Sequence, residues 1–160
     1  MDDFTVTTKM TPKEYSRVML TGLYKKTGFI IATIVGLIFL ATSILNYFNV
    51  INYTTNTPGS DFLFGLLFLF SPILMTLIAV GQFKSNPNLQ HEIRYTFNDN
   101  KMIVEGETFK GEFLWTHIIK QKEIGKFLVL YHSKRMGNFV DKTKLTPEQL
   151  QFIKSKVGQK

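Results

Sequence analysis

The sequence predicts a membrane α+β protein: a two-helix transmembrane hairpin, then a small β-barrel or bent sheet capped by a C-terminal helix. Three observations carry that prediction. Residues 27–60 hold no charged side chain, and residues 62–83 hold none either. Two long apolar runs fill that silence, Gly28–Phe48 and Phe62–Phe83. From residue 91 onward the pattern changes to short alternating segments between turn residues, and one amphipathic stretch closes the chain. A helix rising about 1.5 Å per residue crosses a hydrocarbon core of roughly 30 Å in about 20 residues. Both runs have that length.

A soluble helix normally shows one apolar and one polar face. The first run shows no polar face; its non-apolar members are Thr33, Thr42, Ser43, Asn46 and glycines. Serine and threonine can satisfy themselves on a carbonyl one turn back. A fully buried soluble helix needs a shell of other helices, which the rest of the chain does not supply. A cleaved signal peptide fits less well, because the run starts late, is long for an h-region and is followed by a second.

Charge sets the expected orientation. The formal net charge is +7, from 19 Lys and Arg against 12 Asp and Glu. Lys9, Lys13, Arg17, Lys25 and Lys26 precede the first run, and 14 Lys and Arg follow the second, from Lys84 onward. The connecting residues 49–61 carry neither. Positive residues mark the cytoplasmic side. The expectation is a multi-pass protein of the inner (cytoplasmic) membrane with both termini in the cytoplasm. A short outer loop, 49–61, would turn at Asn56, Pro58, Gly59 and Ser60. One glycosylation-type tripeptide, Asn52-Tyr53-Thr54, lies in it.

The basic surplus does not point to nucleic acid. After residue 83 the 14 positive residues are interspersed with 8 acidic ones, with no basic arm. An interspersed basic face suits an anionic leaflet instead. There is no cysteine, hence no disulfide, thiolate nucleophile or Cys-based metal site.

Each element has its own signal. Asp2–Lys9 alternates Phe4 and Val6 with polar residues, which predicts a strand. Thr11-Pro12-Lys13-Glu14 has the form of a capping box with proline at the first helical position. The helix that follows groups Tyr15, Val18, Met19 and Leu23, and Tyr24, Lys25 and Lys26 form an interfacial anchor. In the first run Gly28, Ala32 and Gly36 recur every fourth residue, a spacing that permits close helix approach. The stripe serves either packing on the second run, or a homo-oligomer or partner helix. Ser71-Pro72 predicts a kink in the second run. No Asp, Glu, Lys, Arg or His lies within either run, which argues against a transporter or channel acting alone.

Residues 84–90 read as a polar linker. Strands are then expected at 91–98, around Met102 and Val104, at 108–115 with a bulge at Gly111, and at 116–122 with Ile118 inward. A turn at 123–126 leads to Phe127–His132, a second turn at 135–138 to Phe139–Leu145. Thr146-Pro147-Glu148-Gln149 repeats the capping box, and Leu150, Ile153 and Val157 make one stripe of a final helix. The expected organisation is a cytosolic N-terminal segment 1–27, the hairpin 28–83, the linker 84–90 and a cytosolic domain 91–160.

This order resembles the YcxB-like family of bacterial membrane proteins over most of the chain. Tyr95-Thr96-Phe97 before a turn, Trp115 with Ile118 three places on, Phe127–Tyr131, Phe139 and the helix start Thr146–Glu148 carry the resemblance. Asp141-Lys142 stands where the family often has a Pro-Lys pair. The resemblance implies a pleckstrin-homology (PH)-like C-terminal domain and a membrane address. It implies no activity and no catalytic residues.

The residues themselves offer little chemistry. His91, His117 and His132 lack metal-ligand spacing. Glu105, Glu107 and Glu112 cluster around a hairpin, where exposed charges mostly serve solvation. No serine has a nucleophile-elbow context and no phosphate loop occurs. Trp115, the single tryptophan, is expected in the core or wedged against the bilayer. The expected function is non-enzymatic and cofactor-free: a membrane-held domain that binds a protein partner or anionic lipid head groups. Lys84, Arg94, Lys120, Lys122 and Lys126 are the candidate lipid-facing surface. The alternative is an immunity or accessory factor acting through the hairpin on a toxin or within a larger membrane complex.

Overall fold

The structure, a computed structural model, describes residues 3–51, 58–134 and 136–158. The Asn52-Tyr53-Thr54 tripeptide, the expected turn residue Asn56 and the start of the 135–138 turn lie outside the described residues. Among them the chain forms seven strands and five α-helices. The order is β1 (Phe4–Thr8), α1 (Pro12–Tyr24), α2 (Thr27–Tyr47), α3 (Pro58–Ser85) and α4 (Pro87–Gln90). There follow β2 (Ile93–Phe97), β3 (Lys101–Glu105), β4 (Lys110–Leu114), β5 (Lys120–Ile124), β6 (Phe127–Tyr131), β7 (Gly137–Asp141) and α5 (Pro147–Lys156). Two compact units result, residues 16–81 and the pair of segments 1–15 with 82–160.

The helical unit contains α2 and most of α3, both long and apolar enough to cross a membrane. Only 11% and 17% of their most apolar stretches are buried, so a soluble core does not account for them. Leu37, Ile38, Leu63 and Leu77 are all more than half exposed. Their polar side chains bond back to the helix, as Thr33 Oγ1 does to Phe29 O at 2.8 Å and Thr42 Oγ1 to Phe39 O at 3.0 Å. Pro72 lies inside α3 and cannot donate to the Phe68 carbonyl. The Ser71 hydroxyl donates to that carbonyl instead, at 2.8 Å.

Two sequence expectations change here. Pro58, Gly59 and Ser60 are the first residues of α3, not a turn, and proline suits a helix start. Asp61 therefore belongs to the first turn of α3 and is only 5% exposed. The small-residue stripe divides as well. A Cβ at Gly36 would stand 2.8 Å from the Leu69 amide nitrogen and 2.9 Å from the Gly65 carbonyl oxygen, so α3 passes over Gly36. A Cβ at Gly28 would meet nothing, and Ala32 is half-buried.

The second unit is discontinuous. β1 precedes both long helices yet pairs with β2 over its whole length, Phe4 to Phe97 through Thr8 to Ile93. The antiparallel orders are β1-β2-β3-β4 and β5-β6-β7. The core lies between the two sheets: Val6, Tyr95, Phe97, Met102 and Val104 from the first, Leu128, Leu130 and Val140 from the second, with Ile153 of α5. Both expected capping boxes form. Thr11 and Glu14 exchange bonds of 2.9 and 3.3 Å, and Thr146 and Gln149 exchange 3.0 and 3.2 Å.

A closed barrel is not found. The expected strand 116–122 is interrupted, because Trp115–His117 form a 3-10 turn that carries the chain from one sheet to the other. Trp115 and Ile118 are both buried. Residues three apart point to opposite faces of a strand but to the same side of a 3-10 turn. Core burial of both therefore favours the turn and separates β4 from β5. The indole Nε1–H donates to Asn98 O at 2.8 Å, which fixes Trp115 in the core. The expected bulge at Gly111 is absent; it pairs in register with Val104. Gly125 (φ 59°) is the first of two loop residues between β5 and β6, where glycine accepts the positive φ that the turn needs.

The α2–α3 approach gives a test. Gly36→Val must displace backbone atoms of α3, at a cost of about 1–3 kcal/mol. Unfolding of the full-length protein in detergent, followed by circular dichroism, should show that loss. Gly28→Val should leave the midpoint unchanged or slightly higher.

Candidate functional site

The outer face of the three-stranded sheet holds the most organised polar feature of the second unit. Strand alternation sends Leu128 and Leu130 into the core, and Phe127, Val129 and Tyr131 outward. Opposite them on β5 stand Ile124, Lys122 and Lys120 respectively, and on β7 Asp141, Phe139 and Gly137. The first turn of α1 lies at this face. Tyr15 meets Phe139 edge-on (6.3 Å between centroids) and stacks on Phe83 at 4.7 Å. Phe83, the last residue of the second apolar run, is 2% exposed.

Lys126 ties these parts together. Its ammonium lies 2.7 Å from Glu14 Oε1 and 3.3 Å from Asp141 Oδ2. Asp141 is buried, accepts from the Thr143 hydroxyl (2.6 Å) and amide (3.1 Å), and its own amide donates to Thr8 Oγ1 of β1 at 3.0 Å. The Lys126 hydrogen bond, followed by the Thr11 amide, lowers the Glu14 carboxyl pKa. Burial pushes Asp141 up, but the Thr143 and Lys126 contacts outweigh it and the net shift is downward. Glu14, then Asp141, raise Lys126. Glu123 on β5 is held by Lys142 and Lys154 and lowered to about 2.

The five candidate cations are not brought together. Lys120 and Lys122 share the outer face of β5, with the Lys120 ammonium 4.7 Å from the Tyr131 ring centre. Among the described residues neither has an acidic partner. Lys126 is committed to its two carboxylates. Lys84 is exposed, one residue beyond Phe83. Arg94 alternates with the core residues Tyr95 and Ile93, so it lies on the outer face of the other sheet, paired across from Thr7 and Glu105.

Arg94 opens onto a shallow cleft of about 620 Å³ with Glu92, Glu105, Glu107 and Lys110. Its charges are largely compensated. Glu105 pairs with Lys110 at 2.6 Å, the nearby Glu112 pairs with Lys101 at 2.7 Å, and Glu107 lies 3.1 Å from His91 Nδ1. His117 is exposed, and His132 lies 4.8 Å from the Phe113 ring. Among the described residues no cluster of His, Asp and Glu could hold a metal ion. A cavity of about 100 Å³ lies under Tyr15, Phe83 and Phe139, floored by Ile93 and Tyr95. It is too small for a ligand of cofactor size. Burial pushes the Tyr95 hydroxyl far up, against a hydrogen bond from the Phe139 backbone, so it stays neutral.

Residues 97–157, from the end of β2 through α5, match the family model of YcxB-like proteins. Over that segment, less than half of the chain, the protein is similar to the YcxB-like family. No curated protein and no solved structure matches it. The matched segment holds both capping lysines of Glu123 and the Lys126–Asp141 pair, whereas Glu14 and β1 come from outside it. Sequence reasoning missed two residues, Tyr15 as an aromatic bridge and Asp61 as a buried carboxylate. The capping box at Thr11 was the available signal for the first, and the proline at position 58 for the second.

The ion pairs of the second unit predict its acid response. A depressed carboxylate adds stability above its unfolded pKa and loses it as pH falls through the folded value. For Glu123 that window runs from 4.5 down to about 2. Thermal unfolding should show a stability plateau at neutral pH and a decline below the ordinary carboxylate range. Lys126→Met leaves buried Asp141 with one partner fewer and should cost about 1–3 kcal/mol at neutral pH. That penalty should shrink at low pH, where Asp141 is protonated.

Proposed function

We propose that this chain is a non-enzymatic bacterial inner-membrane protein whose PH-like domain binds anionic lipid head groups at the cytosolic surface. α2 and α3 are the two spans, and both termini are cytosolic. Seven strands in four- and three-stranded antiparallel sheets, closed by a C-terminal helix, support the PH-like reading. Apolar helices with so little burial support the membrane address.

One observation carries the head-group assignment. Lys120 and Lys122 lie without acidic partners among the described residues, on the sheet face that also receives Tyr15 and Phe83. Phe83 ends the second apolar run, and α3 continues unbroken to Ser85. The chain that leaves the span enters that face within a few residues, which supports a head-group role for its lysines. Lys84 joins them; Arg94, on the other sheet, and Lys126, already paired, do not.

Lysine acylation of the full-length protein in nanodiscs tests this. A lysine near an anionic surface gains about 1 kcal/mol, which is roughly fivefold in occupancy. Replacing phosphatidylcholine with phosphatidylglycerol should slow acylation of Lys120 and Lys122 about fivefold, and high salt should remove the effect. Lys134, in the β6–β7 loop, should be insensitive. Equal rates in both lipids contradict the head-group reading.

A further inference from the structure

The helical unit holds a second, separate feature. Asp61, in the first turn of α3, is 5% exposed, and no described residue donates to its carboxylate or pairs with it. It opens into a groove of about 390 Å³ whose other walls are Val35, Phe39, Ser60, Phe64 and Phe68. The rings are grouped: Phe39 lies 6.3 Å from Phe64 and 6.2 Å from Phe68 between centroids. An ionisable group sunk among apolar helix faces is expensive and usually serves a function.

We propose that this groove binds an organic ammonium ion carrying apolar substituents. The carboxylate supplies the counter-charge, and the faces of Phe39, Phe64 and Phe68 attract a cation through their quadrupoles. Alkyl or aryl substituents fill the apolar remainder. A bare metal ion fits poorly, since it requires about six oxygen ligands and, among the described residues, the lining offers oxygen-bearing side chains at Asp61 and Ser60. A neutral apolar molecule leaves the carboxylate unpaired. The site lies wholly within α2 and α3, so its test is independent of the head-group reading.

Equilibrium dialysis of tetrapropylammonium against the full-length protein in neutral detergent micelles is the experiment. Wild type should bind saturably. Asp61→Asn should weaken binding about tenfold or more, the scale of a lost charge-assisted contact, and Asp61→Glu should largely retain it. Phe39→Leu, which removes a ring face but no charge, should weaken it by a smaller factor and keeps the test decisive if Asp61→Asn fails to fold. Competition by phosphatidylethanolamine would identify a lipid ammonium as the source, and its absence a soluble one. Non-saturable uptake by wild type, or equal affinity in Asp61→Asn, overturns the proposal.

Discussion

The exposed apolar sheath of α2 and α3 is the constraint on which everything else rests. Burying apolar surface is worth about 25 cal/mol per Å², and these helices leave most of theirs uncovered. Water is a poor solvent for such a surface; hydrocarbon is a good one. Hydrocarbon in turn demands that every backbone group be satisfied internally. The helices meet that demand even at Pro72, where the Ser71 hydroxyl serves the carbonyl that proline leaves free. At Gly36 the missing side chain lets the α3 backbone approach closely. This is how helices associate where the surrounding solvent is already apolar.

The same two helices interrupt a domain. β1 lies before them and β2 after them, yet all five residues of β1 pair with β2. Joining strands across so long an insertion ordinarily costs loop-closure entropy. Tyr15 stacked on Phe83 shortens the effective loop, because it joins the chain before the insertion to the chain after it. Lys126 adds a second tie, holding Glu14 of α1 and Asp141 of β7 while the Asp141 amide reaches Thr8 of β1. A few side chains thus tie the segment before the insertion to the segment after it.

Local signals in the sequence were reliable and nonlocal ones were not. Both capping boxes, the alternation in β2, β3 and β6, and the two apolar runs could be read because each depends on neighbours a few residues away. The YcxB-like resemblance followed from the same local texture. The partnership of β1 with β2 could not be read, since eighty-odd residues separate them and any edge strand could have claimed β1. The break at Trp115–His117 was legible in principle: a tryptophan and an isoleucine three apart cannot both face inward from one strand. Asp61 was lost because a charge beside Pro58 and Gly59 looks like loop punctuation until the helix is seen to start there. The candidate basic surface was half legible. Strand parity predicts that Lys120 and Lys122 share a face, but only the sheet order separates Arg94 from them and only the fold pairs Lys126 with Asp141.

The most direct measurement is extraction. Membranes from cells expressing the full-length chain are washed in alkaline carbonate and sedimented without detergent. An account in which lipid solvates α2 and α3 requires the protein to remain with the pellet and to leave it only in detergent. Recovery of folded protein in the carbonate supernatant would contradict that account and the functional reading built on it.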